Sequence, residues 1–217
     1  KGLRRADVRR DDLFLTTKIL PEHFSPEAFI AAADASLKRL GTDYVDLLLL
    51  HWPSKEVPIA ETIGALNDLI SAGKVRHGGV SNFTMDMVDQ AQAALNTPLA
   101  ANQIELHPTF QQRELRAVHE DMGIVTQCWS PLGQGAGIEN DTIAAIAEEL
   151  GQPASAVILR WHLQHGLCPI PKASSRDHIE ANFATLSFEL SDDQMGRIDA
   201  LDQAEGRIGP EPGNFEG

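Results

Sequence analysis

Asp43-Tyr44-Val45-Asp46-Leu47-Leu48-Leu49-Leu50-His51-Trp52-Pro53 holds the key to the chain's architecture. Its apolar run is far too short to span a bilayer and suits a strand buried on both faces, as parallel sheets require. An imidazole, an indole and a proline follow the last leucine directly. A titratable group and a large aromatic therefore stand at the carboxyl end of a buried strand, where parallel barrels and open α/β sheets assemble their active sites.

Outward from this stretch, strand-like runs alternate with amphipathic helices. Upstream, Leu13–Lys18 reads as a strand, and Ser25-Pro26-Glu27 as an N-cap with proline at the first helical position. Phe29, Ile30, Ala33, Leu37 and Leu40 share one face of that helix, which Gly41 is placed to end. Downstream, Ile59, Ile63, Leu66 and Ile70 form a second stripe closed by Gly73, and His77–Asn82 reads as a strand leading into a helix that carries Val88, Ala91 and Leu95. Leu99–His107, Ile124–Ser130 and Leu167–Lys172 are further strands. Arg113–Met122, Thr142–Leu150, Ala154–His165 and Arg176–Phe183 are helices. A capping-box signature at Ser191-Asp192-Asp193-Gln194 announces a last helix, and the Gly/Pro-rich chain beyond Gln203 reads as a surface loop.

This pattern gives strand–helix units with short connections and no linker, repeat or low-complexity tract, hence right-handed βαβ crossovers and a parallel sheet in one domain over residues 1–217. Pattern alone leaves a closed barrel and an open sheet both available. Six units are two short of a (β/α)8 TIM barrel. The chain opens without methionine on basic, helix-like residues, Lys1-Gly2-Leu3-Arg4-Arg5, so the other units are expected upstream.

Composition narrows the function. The 217 residues are 42% hydrophobic, enough for a sizeable core, and the formal charge of −13 argues against nucleic acid or an anionic membrane as partner. No stretch approaches the roughly 20 apolar residues of a membrane helix. Cys128 and Cys168 both lie in apolar contexts and are expected to be small, reduced core residues of a cytoplasmic protein.

The strand ends carry the chemistry. Lys18, His51, Ser81 with Asn82, Gln103 with Glu105 and His107, Trp129 with Ser130, and Lys172 fall at or near the carboxyl ends of successive strands. Each alone has a plain structural explanation: a solvated cation, a satisfied core imidazole, a packing indole. Jointly they form an arrangement that is expensive for stability alone, because buried polar groups need partners.

These residues resemble the aldo-keto reductases over nearly the whole chain. The blocks that carry the likeness are Thr16-Thr17-Lys18, Asp43 to Pro53, Val80-Ser81-Asn82-Phe83, Asn102-Gln103-Ile104-Glu105-Leu106-His107-Pro108, Trp129-Ser130-Pro131-Leu132-Gly133 and Pro169-Ile170-Pro171-Lys172. Compact loops and a short tail are most similar to bacterial 2,5-diketo-D-gluconate reductase-like members. The resemblance implies a (β/α)8 barrel that binds NADPH without a Rossmann fold and reduces aldehydes and ketones to alcohols with an aspartate, tyrosine, lysine and histidine tetrad. Lys18 matches the lysine and His51 the histidine, and the aspartate and tyrosine are expected upstream of Lys1. Without them, this chain is expected to bind cofactor poorly and turn over little. Tyr44, the one tyrosine, precedes the buried strand and is not the acid.

By the same resemblance Ser81, Asn82 and Gln103 match residues that hold the nicotinamide carboxamide, Trp129 an aromatic stacked on its ring, and Ser130 and Leu132 residues along the pyrophosphate. Trp52 would line the substrate pocket. Lys172, Ser174, His178 and Asn182 match the adenosine end. There Ala173 replaces a common serine, His178 a common arginine and Ala181 a glutamate. Arginine is always charged and grips phosphate bidentately, so preference for NADPH over NADH is expected to be weakened, with Ser174, Ser175 and Arg176 restoring part of it. The implied substrate is a small carbonyl compound such as a keto-sugar, glyoxal or simple aldehyde, and the implied state a monomer. Two other classes are compatible with the residues: a Schiff-base lyase using Lys18 or Lys172, and a non-catalytic nucleotide-binding barrel.

Overall fold

The structure, a computed structural model, describes residues 7–215. The basic opening run Lys1–Arg5 lies outside them. The chain forms two compact units: the first runs to Ala101 and takes back the chain from Pro212, and the second is Asn102–Glu211.

In the first unit, β1 (Thr16–Ile19), β2 (Val45–Leu50) and β3 (Val75–Ser81) are parallel neighbours in that order. They are separated by α1 (Pro26–Leu40) and α2 (Ile59–Ser71), and α3 (Met85–Ala94) follows β3. Every residue of β2 is buried, as the leucine run requires. Burying each leucine contributes about 2 kcal/mol. Two layers use the two faces of the strand. Leu48 pairs with Gly78, whose Cα lies against Leu66 and Ile70 of α2. Leu47 and Leu49 point the other way and pack with Ala101.

β1 begins later than Leu13. The Asp46 carboxylate accepts the Leu15 amide at 2.9 Å, so a side chain takes a donor that a longer strand would offer to the ladder. Phe14 is left 65% exposed before the strand starts. Arg10 and Arg76 also reach Asp46, at 2.8 and 2.9 Å. Burial alone would raise the Asp46 pKa, but the Leu15 amide and the two guanidinium groups hold it below the usual carboxylate range.

The second unit continues with β4 (Ala101–Glu105, from Asn102 onward), α4 (Arg113–Met122), β5 (Val125–Trp129), α5 (Asp141–Leu150), α6 (Ala154–Gln164), β6 (Cys168–Pro169), α7 (Arg176–Ala184) and α8 (Asp192–Asp199). Its core gathers Ile104, Leu106 and Cys128 from the strand segments with Leu115, Ile143, Ile146, Ile158, Trp161 and Ile198 from the helices. Asn140 caps α5 through the Thr142 amide, and Ser191 with Gln194 forms the capping box expected for α8. A buried imidazole ties the layers together: His119 of α4 meets Asn102 at 3.1 Å and Thr126 at 2.8 Å.

One expectation fails here. Cys128 is fully buried, but Cys168 is exposed. β6 has only two residues, and Cys168 pairs with Gln127 of β5 on one side, so the apolar run around it does not translate into burial. Both cysteines are free thiols, and burial pushes the Cys128 thiol pKa up. Among the described residues no helix is long and apolar enough to cross a membrane, and no His/Cys/Asp/Glu cluster could hold a metal.

Candidate active site

Strand parity fixes what the first unit presents beyond its leucines. Side chains two apart on a strand share a face. Lys18 is in register with Leu49, and Leu49 with Gly79. Lys18, His51 and Ser81 therefore share the face of Leu47 and Leu49, away from the α2 side, at the carboxyl ends of three adjacent strands. The His51 amide donates to the Ile19 carbonyl at 2.9 Å, which extends the ladder one residue past β2 and sets the imidazole's direction.

Electrostatics couples two of these groups. Burial lowers the pKa of Lys18. His51 is lowered first by burial and then by the Lys18 ammonium, so its imidazole is neutral near pH 7 and offers one N–H and one lone pair. Beyond them the chain turns sharply at Asn82, a non-glycine residue at φ 61°. Its side-chain amide donates to the His51 carbonyl and to Ser81 Oγ, both at 3.1 Å, which helps hold this costly conformation. Trp52 stacks face to face on Phe215, with centroids 4.3 Å apart and planes 11° from parallel. A cavity of about 370 Å³ beside Phe215 is lined by Pro21, Glu22, Pro53 and Lys55.

Tyr44 lies at the opposite end of β2, roughly 20 Å from His51 at the rise of a strand. Its hydroxyl donates to Asp11, and Arg10 and Arg76 cover its ring at 3.8 and 4.1 Å. It belongs to the Asp46 cluster.

The second unit repeats the pattern. Ile104 and Cys128 face the helices, so Gln103, Glu105, Gln127 and Trp129 take the other face of β4 and β5. Gln103 Nε2 donates to Gln127 Oε1 at 2.8 Å. Ser130, immediately after β5, has φ 48°, the same left-handed step past a strand end that Asn82 makes past β3. Leu132 is half-buried and packs against the helical core. Farther on, Lys172, Ser174 and His178 are exposed, and Asn182 is half-buried on α7. Ser175 spends its hydroxyl on the His178 amide as the N-cap, and Arg176 pairs with Glu180 at 2.7 Å.

Glu105 is the residue whose part the sequence left unassigned. It is 1% exposed, and its carboxylate accepts from His107 Nε2 at 3.1 Å and from the backbone amides of Ile208 and Gly209 at 2.6 and 2.8 Å. Burial pushes its pKa up, but these donors outweigh that and hold it below the ordinary range. The legible signal was a carboxylate in a buried strand, which must find partners. The backbone partners could not be read, since Ile208 and Gly209 lie about a hundred positions on.

The family model described as "Aldo/keto reductase family" matches residues 1–203. A glyoxal reductase of Bacillus subtilis is 40% identical over 211 residues, covering 97% of this chain and 76% of the relative. A crystal structure provisionally named as a 2,5-diketo-D-gluconic acid reductase B superposes with a TM-score of 0.94 at 36% identity, over 97% of this chain and 76% of the other. A Gox0644 variant crystallised with NADPH gives 0.92 at 36% identity, over 99% and 78%.

Proposed function

Because this chain belongs to the aldo/keto reductase family, and is accordingly an α/β oxidoreductase with parallel strands alternating with helices, we propose that it uses NADPH to reduce a small carbonyl compound, of the keto-sugar, glyoxal or simple aldehyde kind, to the alcohol. The observation that carries this reading is the placing of Lys18 and His51 on one face at the ends of adjacent strands, with the charge of one felt by the other.

The donor set suits the cofactor. Hydroxyl and carboxamide groups at Ser81, Asn82 and Gln103 complement a nicotinamide carboxamide, the Trp129 indole offers a flat apolar face, and Lys172 and Ser174 offer a cation and a hydroxyl to phosphate oxygens. Ser130 and Leu132 follow along the pyrophosphate, and His178 and Asn182 serve the adenosine end. The bound cofactor supplies a hydride. The protein's task is then to manage the negative charge that grows on the substrate oxygen. Neutral His51 donates an N–H toward that oxygen and orients the carbonyl. The desolvated Lys18 ammonium favours the anionic form of any acid beside it, which brings a proton donor's pKa toward neutrality. Trp52, with Phe215 stacked on it, borders the substrate. The protein acts as a cytoplasmic monomer, and its charge of −13 fits a small-molecule partner better than a polyanion.

The test is NADPH oxidation by the full-length protein across glyoxal, keto-sugar and simple aldehyde substrates, with K18M and H51Q alongside. Turnover that K18M and H51Q abolish supports the reading. A covalent adduct trapped by borohydride would replace it with a Schiff-base lyase, and tight NADPH binding with no turnover on any carbonyl would replace it with a nucleotide-binding barrel.

A further inference from the structure

One acidic group grips the tail of the second unit at two adjacent positions. Glu105 Oε1 accepts the Ile208 amide at 2.6 Å and Oε2 accepts the Gly209 amide at 2.8 Å, so one carboxylate grips two consecutive peptide units. His107 Nε2, 3.1 Å from Oε1, sets the carboxylate's rotation, and its other nitrogen is 3.0 Å from Thr109 Oγ1. Around this point the same loop is fixed again: the Gln203 amide donates to the Thr109 carbonyl at 3.1 Å, and the Arg207 guanidinium lies 4.6 Å above the Phe110 ring while pairing with Glu211 at 3.0 Å.

What this fastening presses against is Trp129. A Cβ on Gly209 would fall 2.4 Å from Trp129 Cη2 and 2.9 Å from Glu105 Oε2. The peptide at Gly209 therefore lies directly on the indole edge, at the only distance the absence of a side chain permits. Glu105 and Trp129 end the neighbouring strands β4 and β5, and the tail backbone at Gly209 lies against both side chains.

We propose that Glu105 is a positioning residue for the cofactor: by holding Ile208 and Gly209 it sets the plane of the Trp129 indole, and through that plane the fit of the nicotinamide ring. This rests on the assignment of Trp129 to the nicotinamide made above. Glu105 itself touches neither substrate nor cofactor in this scheme. In E105Q, one of the two side-chain acceptors becomes an –NH2 that faces a backbone donor, so one amide of the tail loses its partner and the loop lifts from the indole.

The experiment measures NADPH dissociation constants and the tryptophan bands of near-ultraviolet circular dichroism for E105Q, G209A, W129A and the E105Q/W129A double variant of the full-length protein. E105Q and G209A, one removing the grip and the other forcing the loop outward with Glu105 intact, should each alter the band that is missing in W129A. Each should weaken NADPH about tenfold. In the W129A background the E105Q effect should vanish, because the indole through which it acts is gone. An E105Q penalty undiminished in W129A, or unchanged Trp129 bands in both E105Q and G209A, overturns the proposal. A W129A protein that binds NADPH like the wild type instead overturns the assignment of Trp129, and with it the cofactor half of the proposal, while the band changes still report whether the tail sets the indole.

Discussion

Lys18 stands one strand over from His51 on the side of the sheet opposite α2, and the basicity of His51 is lowered first by burial and then by that ammonium. The imidazole is thus kept neutral beside a cation.

Replacing Lys18 with methionine removes that cation while keeping most of the buried stem. The His51 pKa should rise, yet stay below its ordinary value because burial, the larger cause, remains. Titration of the His51 ring protons by NMR reads this directly. Turnover in the same variant should fall by about a hundredfold or more.

Tyr44 marks the control. Its hydroxyl is bound to Asp11 and its ring is covered by Arg10 and Arg76 at the amino end of β2. Tyr44→Phe should leave kcat and KM unchanged. A loss of kcat in that variant would move the acid to the wrong end of the strand and undo the placement of the site.

Acid should destabilise the fold in two stages. Burial lowers the pKa of His119 and of His162 to about 4. An unfolded histidine takes its proton near pH 6.5 while these do not, so stability is complete above 6.5 and declines as pH falls from there toward 4, by about 3 kcal/mol for each at most. Asp46 and Glu105 are depressed carboxylates, whose contribution is present above about pH 4 and is lost as pH falls through their lowered folded values. Urea midpoints measured from pH 7.5 to 3.5 should show the first decline, and His119→Gln should make it shallower.

His178→Arg should increase the preference for NADPH over NADH. Ser175 and Arg176 are already engaged, one as the α7 cap and the other with Glu180, and an arginine at 178 would supply the permanently charged group that the proposed adenosine end lacks. The ratio of kcat/KM with the two cofactors gives the answer.

Much of this was visible in the residues themselves. The leucine run announced β2, α4 runs over the expected Arg113–Met122, and Ser191 with Gln194 declared α8 through side chains only three apart. Strand parity then turned Lys18, His51 and Ser81 to one side once the register was known. What escaped depends on partners far along the chain. Glu105 reaches Ile208, Asp46 reaches Arg10 and Arg76, and His119 bridges two strands, none of which leaves a local pattern. Cys168 misled for the reverse reason: its apolar neighbour Leu167 is buried in the core, but the two-residue strand leaves Cys168 itself exposed.

The pair Gly78 and Gly79 in β3 has a practical corollary. A methyl group on Gly79 would come within 2.5 Å of Leu49 Cδ2 and 2.8 Å of the Ala101 carbonyl, and one on Gly78 within 2.8 Å of Leu66 Cδ2. Gly79→Ala should cost about 3 kcal/mol, since backbone cannot step aside as a side-chain tip can, and thermal melting would register it. Anyone reshaping this protein by random mutagenesis will find the Gly79 codon almost closed to change and Gly78 less so, since the tip of Leu66 can yield, whereas His77, exposed on the same strand, leaves room for new chemistry to be tried.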